Sequence, residues 1–208
     1  MDLFKTQALT FANFLVYPDM CIPCGRVNFL VGESGSGKSS LLKLFNATVS
    51  PSSGDIHYKG RNIEAIDTLE LRRNILLVSQ DVYLFPGTVQ ENISQFYGHL
   101  RKAEPCTKTF KSLMSVCCLD LPLDYDTLQM SGGERQRLYL ALMLSFQPDT
   151  ILLDEPTSAL DNTTAFTVFE NMLTFFREKE INVVVISHSS EVTERFAENI
   201  ISLEGRSQ

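Results

Sequence analysis

The chain is short of several features that would assign it to a class. None of its 208 residues falls in an apolar stretch approaching the roughly 18–20 positions a membrane-crossing helix needs. The opening Met1-Asp2-Leu3-Phe4-Lys5 does not have the form of a signal peptide. The expected location is therefore cytoplasmic, and work at a membrane would require another molecule to hold the chain there. Positive charge is scarce: 18 Lys and Arg stand against 25 Asp and Glu, a net charge of −7. That balance argues against a duplex DNA or RNA partner, which needs a basic face. It leaves nucleotide binding open, because one local site can be positive on an acidic protein. Cysteine is sparse and odd in number, five in all, with no spacing that suggests a disulfide framework. Cys21 and Cys24 form a C-x-x-C pair, the pattern of half a zinc site or of a redox pair. No second pair follows, and the histidines at 57, 99 and 188 are scattered, so reduced cysteines in a loop are the plainer expectation. Cys106, Cys117 and Cys118 are expected to pack as small hydrophobes in helices. There is no low-complexity segment, internal repeat or long linker.

What is present is the composition of a soluble globular protein, 44% hydrophobic and 21% charged, long enough for one domain with a substantial core. Five short apolar runs predict buried strands: Val27–Val31, Ile75–Ser79, Thr150–Leu153, Asn182–Ile186 and Ile200–Leu203. The last four carry polar residues at or near their carboxyl ends, namely Gln80, Asp154 with Glu155, His188 and Glu204. Open parallel α/β sheets bind ligands at those ends. Residues 1–30 and 54–63 alternate apolar and polar positions between turn signals, as an antiparallel β layer does. Residues 88–129 read as helices punctuated by Pro105 and Pro122, a helical insertion in an α/β core.

Residues 32–39 are Gly-Glu-Ser-Gly-Ser-Gly-Lys-Ser, between a predicted strand and the helix-like run Leu41–Phe45. This is the phosphate-binding loop G-x-x-x-x-G-K-[ST] in its strand–loop–helix setting. Gly32, Gly35 and Gly37 let the backbone close round an anion. The N–H groups of Glu33, Ser34, Ser36 and Ser40 belong to the same loop and the helix start that follows it. Lys38 reaches β- and γ-phosphates, and the Ser39 hydroxyl suits Mg²⁺.

A second constellation follows. Met130-Ser-Gly-Gly-Glu-Arg-Gln-Arg137 opens a helical run, Leu138–Phe146. Ser131-x-x-Glu134 alone is a capping box. Gly132 and Gly133 are poor choices for a first helical turn, yet they allow a bulky group to approach the backbone. Thr150-Ile-Leu-Leu-Asp-Glu-Pro156 is a strand ending in two acids. Asp154 suits Mg²⁺ held through water, and Glu155 suits orienting and deprotonating an attacking water.

In order, these motifs resemble the nucleotide-binding subunit of an ATP-binding cassette (ABC) transporter, and the resemblance covers nearly the whole chain. Gly32–Ser39 is similar to Walker A, Gln80 to the Q-loop glutamine and Met130–Glu134 to the signature LSGGQ. Ile151–Glu155 is similar to Walker B with its glutamate, Ser158–Asp161 to the D-loop, and His188 to the switch histidine. The resemblance implies an α/β P-loop NTPase core, a mostly parallel sheet flanked by helices, with an antiparallel β subdomain and an inserted helical subdomain. It implies one ABC ATPase domain over 1–208, with its core at about 1–87 and 147–208 and the helical part at about 88–146. It further implies a Mg²⁺-dependent ATPase acting as a head-to-tail homodimer. Each ATP would lie on one copy's Walker A and under Ser131, Gly132, Gly133 and Glu134 of the other copy. Glu155, His188 and Gln80 would be catalytic, Ser39, Gln80 and Asp154 would hold Mg²⁺, and Asp161 would belong to the D-loop. The partner would be a separate integral membrane permease, which places the chain at the cytoplasmic face of the membrane. With its small size, the overall pattern resembles short bacterial cassettes paired with a separately encoded permease, including the iron-exporter type. The family stacks adenine on an aromatic at the end of the first strand. The register puts Asn13 there, between Phe11 and Phe14, and Phe11 is the choice. Leu84–Val89 resembles the segment bordering a permease's coupling helix, and a buried loop reads equally well. Three departures stand out: Met130 for Leu, Glu134 for Gln, and Ser189 where Asp often follows the histidine. The interval from Gln80 to Ser131 holds no sustained heptads, unlike the coiled-coil cassettes of DNA maintenance. The alternative to transport is an ABC ATPase that drives a membrane signalling or mechanical complex.

Overall fold

A computed structural model describes residues 1–12 and 14–203; Asn13 and Glu204 lie outside the described residues. The chain divides into two compact units. The first comprises Met1–Val78, Pro148–Glu155 and the chain from Glu180 onward, and the second Ser79–Gln147 and Pro156–Lys179.

The first unit holds two sheets. Strands β1 (Asp2–Phe11), β2 (Leu15–Val16), β3 (Met20–Pro23), β5 (Ser53–Tyr58) and β6 (Arg61–Asn62) form an antiparallel one, with β2, β3 and β5 all pairing β1. Its register slips between Gln7 and Thr10. There Ala8 takes φ 47° and faces Gly54 at φ 85°. A Cβ on Gly54 would run into the carbonyls of Gln7 and Ala8, so this bulge requires glycine. Strands β4 (Val27–Val31), β7 (Ile75–Val78), β8 (Thr150–Asp154), β9 (Asn182–Ile186) and β10 (Asn199–Ser202) form a parallel sheet in the order β10-β4-β9-β8-β7. Strands β8 and β9 are buried at every position. A strand covered on both faces has no polar side to alternate with, so it reads as a continuous apolar run. The expected antiparallel layer over 1–30 therefore stops short of Val27, where the chain enters the parallel sheet.

Helix α1 (Lys38–Phe45) lies in the core of this unit. Its Leu41, Leu42, Leu44 and Phe45 pack with Leu3, Phe4, Leu9 and Ile56 of the antiparallel sheet and Leu30, Leu152 and Val184 of the parallel sheet. Phe4 and Phe45 stack with ring centroids 4.2 Å apart and 9° between planes. Full burial of each ring contributes about 1.5–3 kcal/mol, so α1 is held by packing on both sides, with this stack at its C-terminal end. Helix α2 (Thr68–Asn74) is capped by Asp67, and the later helix α7 (Ser190–Phe196) by Ser189. Ser189 thus has a local structural role in place of the family's aspartate.

The second unit is helical: α3 (Val89–Leu100), α4 (Thr107–Val116), α5 (Gly132–Ser145) and α6 (Asn162–Glu178). Helix α5 is buried at every position from Leu138 to Leu144, with α3 and α4 packed on it and α4 also on α6.

The cysteine expectations need correction. Cys117 is buried, but Cys106 and Cys118 are exposed. Cys106 sits at the N-cap of α4, and Cys118 lies past its end at φ 54°. Both are outside the helix, where no core reaches them. Cys21 lies on β3 rather than in a loop, and both it and Cys24 are free thiols. Among the described residues no helix is long and apolar enough to cross a membrane.

Candidate nucleotide-binding site

In the first unit, the carboxyl ends of three neighbouring parallel strands carry the predicted residues. Strand β4 leads into the loop 32–37, β8 into Asp154 and Glu155, and β9, which lies between them, into His188. In the loop, Gly37 at φ 87° is the N-cap of α1 and supplies no side-chain cap, and no acid occupies the first turn. A helix start without a cap leaves N–H donors for an anion. The Ser36 hydroxyl is buried with no hydrogen-bond partner, a further polar group inside the loop awaiting a ligand. Lys38 folds back, its Nζ donating to the carbonyls of Gly32 and Glu33 at 2.8 Å each. These features fit a polyphosphate. The Ser39 hydroxyl and the Asp154 carboxylate are hard oxygen donors, the type Mg²⁺ takes.

Glu155 is 8% exposed and sits at φ 54°, a left-handed conformation that costs a residue with a Cβ about 1–2 kcal/mol. Its N–H donates to the Ile186 carbonyl at 3.0 Å, which holds that turn against β9. Its Oε2 accepts the His188 backbone N–H at 3.3 Å, and Oε1 lies 3.4 Å from His188 Nε2. Burial pushes the Glu155 carboxyl above the usual range; the His188 N–H and ring pull it back, and Asp154 adds to the rise. A raised carboxyl pKa beside an exposed imidazole is the environment of a general base.

Phe11 ends β1 half-buried against the core, while Phe14 is 61% exposed. Tyr17 was not singled out by any motif. Its hydroxyl donates to the Gly37 carbonyl at 3.0 Å, and its ring fills the space a Cβ on Gly37 would need. Burial pushes its phenol up to about 12, with a Ser40 hydrogen bond opposing. An aromatic in an alternating stretch carries no sign of such a contact.

The remaining predicted residues lie in the second unit. Gln80 is exposed. Ser131 caps α5 in a complete capping box: Glu134 N–H donates to Ser131 Oγ at 3.3 Å, and Glu134 Oε2 accepts from Ser131 N at 2.9 Å and Oγ at 2.8 Å. Those bonds hold the Glu134 carboxyl below its usual range. Gly132 leaves open space where a Cβ would be. Asp161 caps α6 by accepting the Thr164 N–H at 3.0 Å.

A family model described as "ABC transporter" matches residues 17–158. The probable iron export ATP-binding protein FetA of Escherichia coli is 32% identical, over 93% of this chain and 85% of its own length. Protein STAR1 of rice is 35% identical over 89% of this chain, and methionine import ATP-binding protein MetN 2 of Pseudomonas aeruginosa 33% over 88%. The chain spans only 54% and 57% of those two relatives. Among solved structures, cbiO1 of Clostridium perfringens, part of an ABC transporter complex, superposes with TM-score 0.82 at 25% identity, covering 97% of this chain and 84% of that one. A bacterial Atm1-family ABC exporter with ATP bound gives 0.84 at 26%, covering 96% and 36%. With a P-loop NTPase fold and these matches, the chain belongs to the ABC transporter family.

Proposed function

We propose that this chain is the ATP-hydrolysing subunit of an ABC transporter, working as one ABC ATPase domain with a helical part near 88–146. The observation that carries this reading is the combination at neighbouring strand ends: a lysine-bearing phosphate loop, and a buried carboxylate in a left-handed turn beside an exposed histidine. Gly32 to Ser40 wrap the phosphates of ATP, the substrate. Lys38 exchanges its two loop carbonyls for phosphate oxygens. Phe11 and the exposed Phe14 stack the adenine. Glu155 orients the attacking water and takes its proton, and His188 approaches the terminal phosphate. Ser39, Asp154 and Gln80 would hold Mg²⁺, which when bound neutralises charge on the β- and γ-phosphates. Two copies face head to tail, so that Ser131, Gly132, Gly133 and Glu134 of one close on the ATP of the other, with Asp161 in the same assembly. ATP then favours the dimer by binding it better than the separate chains, and hydrolysis releases it. A membrane permease couples this cycle to movement of a substrate, with the cassette at its cytoplasmic face. The test is Lys38→Ala in an equilibrium ATP-binding assay. Loss of nucleotide affinity is expected, and wild-type affinity would remove the phosphate-loop reading.

A further inference from the structure

We propose that Gln136 is a positioning residue that ties the signature turn to the D-loop, and through it governs hydrolysis of the ATP held by a partner copy. The inference rests on the head-to-tail reading above and deepens it.

Gln136 is a polar side chain, 3% exposed, on the signature helix α5. Position alone would favour an apolar residue there, since α5 is buried from Leu138 to Leu144. The amide is used in full view of the D-loop segment. Its Oε1 accepts the Ala159 backbone N–H at 2.9 Å, and its Nε2 donates to the Ser158 hydroxyl at 3.4 Å. One turn earlier on the same helix face, Gly133 presses on the same segment. A Cβ there would stand 3.1 Å from Leu160 Cδ2 and 3.3 Å from the Ala159 carbonyl, so only glycine seats without displacing Leu160. Leu160 N–H closes the turn on Thr157 O at 3.1 Å, and the next residue, Asp161, caps α6. One turn later, Tyr139 shares a hydrogen bond with Ser79, beside Gln80.

Residues 133, 136 and 139 recur at intervals of three, which places them along one side of a helix. That stripe touches Leu160, then Ser158 and Ala159, then Ser79. The start of α5 and the start of α6 are therefore built as one piece, with the Gln136 amide as its polar pin. A signature turn that meets a second copy's triphosphate is aimed by this pin. The Gln136 bonds to Ser158 and Ala159 support the turn that is lent to the second copy. A defect at 136 should therefore appear at the partner's ATP and not at its own.

Mixed dimers of two differently tagged copies test this. In one arrangement Gln136→Leu and Glu155→Gln sit on the same copy, against a wild-type mate. The working site then borrows the altered signature turn. In the other arrangement Glu155→Gln is on one copy and Gln136→Leu on its mate, and the working site borrows an unaltered turn. Hydrolysis in the first arrangement is expected to fall at least tenfold below the second, with ATP affinity of the Gln136→Leu copy alone within twofold of wild type. Equal rates in the two arrangements, or lost ATP binding by the Gln136→Leu copy, would overturn the proposal. Gln136→Glu keeps an acceptor for Ala159 N–H and for the Ser158 hydroxyl, and should restore most of the first arrangement's rate. Should Gln136→Leu not fold, Ser158→Ala at an exposed position carries the same comparison, with a smaller loss confined to the first arrangement. An equal loss in both arrangements again overturns it. If the wild-type pair itself neither dimerises with ATP nor hydrolyses it, the ATPase reading fails and this inference falls with it.

Discussion

Replacing Glu155 by Gln changes one atom in a site where both carboxylate oxygens face His188. Oε2 accepts the backbone N–H at 3.3 Å, and Oε1 lies 3.4 Å from Nε2. The amide can keep its oxygen on the N–H and turn its NH₂ to the ring, which accepts at Nε2 when its proton is on Nδ1. The shape of the site is therefore preserved and only the base is lost. General-base assistance is worth about 10²–10⁴-fold, so the barrier should rise by about 2.7–5.4 kcal/mol at about 1.36 kcal/mol per decade. ATP affinity should hold, and an ATP-bound dimer should accumulate in size-exclusion chromatography. Stability should respond as well. Burial raises this carboxyl above its ordinary value, so between the ordinary and the raised value the folded state binds more protons than the unfolded one. In that window stability falls as pH rises. Gln removes the ionisation, so the variant without nucleotide should be more stable than wild type at neutral pH and should lack that slope. Urea titrations across the window check stability, and single-turnover phosphate release checks the chemistry. A wild-type hydrolysis rate at saturating ATP would refute the assignment of the base. An unchanged pH slope would refute the account of its burial.

Tyr17→Phe removes the bond to Gly37, whose carbonyl still accepts the Leu41 N–H at 2.8 Å; a loss of about 0.5–1.5 kcal/mol of stability is expected, with a KM for ATP raised several-fold and kcat nearly unchanged. Gly54→Ala combines a left-handed backbone with a clash against immovable carbonyls and should cost about 2–5 kcal/mol in a urea titration. Gly60→Ala, also left-handed at φ 82° but with nothing within 4 Å, should cost only about 1–2 kcal/mol. Phe14→Ala should weaken ATP binding by roughly the 1–3 kcal/mol of one base–aromatic stack, read by calorimetry, with the fold unaffected.

Buried parallel strands were the most legible part of the sequence. Val27–Val31 and Asn182–Ile186 emerge with the bounds their apolar runs predict, because a strand covered on both faces has little choice of residue. The phosphate loop was legible for a related reason: its glycines are demanded by backbone shape. The left-handed turn at Glu155 was not legible, since the residue there has a Cβ and the turn is held by Ile186 on another strand. Exposure of Cys106 and Cys118 was equally hidden. A thiol reads the same just inside a helix and just beyond its end. Gln136 stood in plain view within a quoted motif, but its partner Ser158 lies 22 residues further on, and only folding shows what its amide is for.

Lys38 has a consequence for selectivity among anions. In this structure its ammonium already holds two carbonyl dipoles of its own loop, so any ligand enters as a competitor and not as a first arrival. A lone inorganic anion offers charged oxygens to the lysine from a single centre. A chain of linked phosphates offers several charged oxygens and reaches the uncapped helix start at the same time. Self-occupation by the lysine thus sets a cost that a ligand with several charged oxygens offsets best.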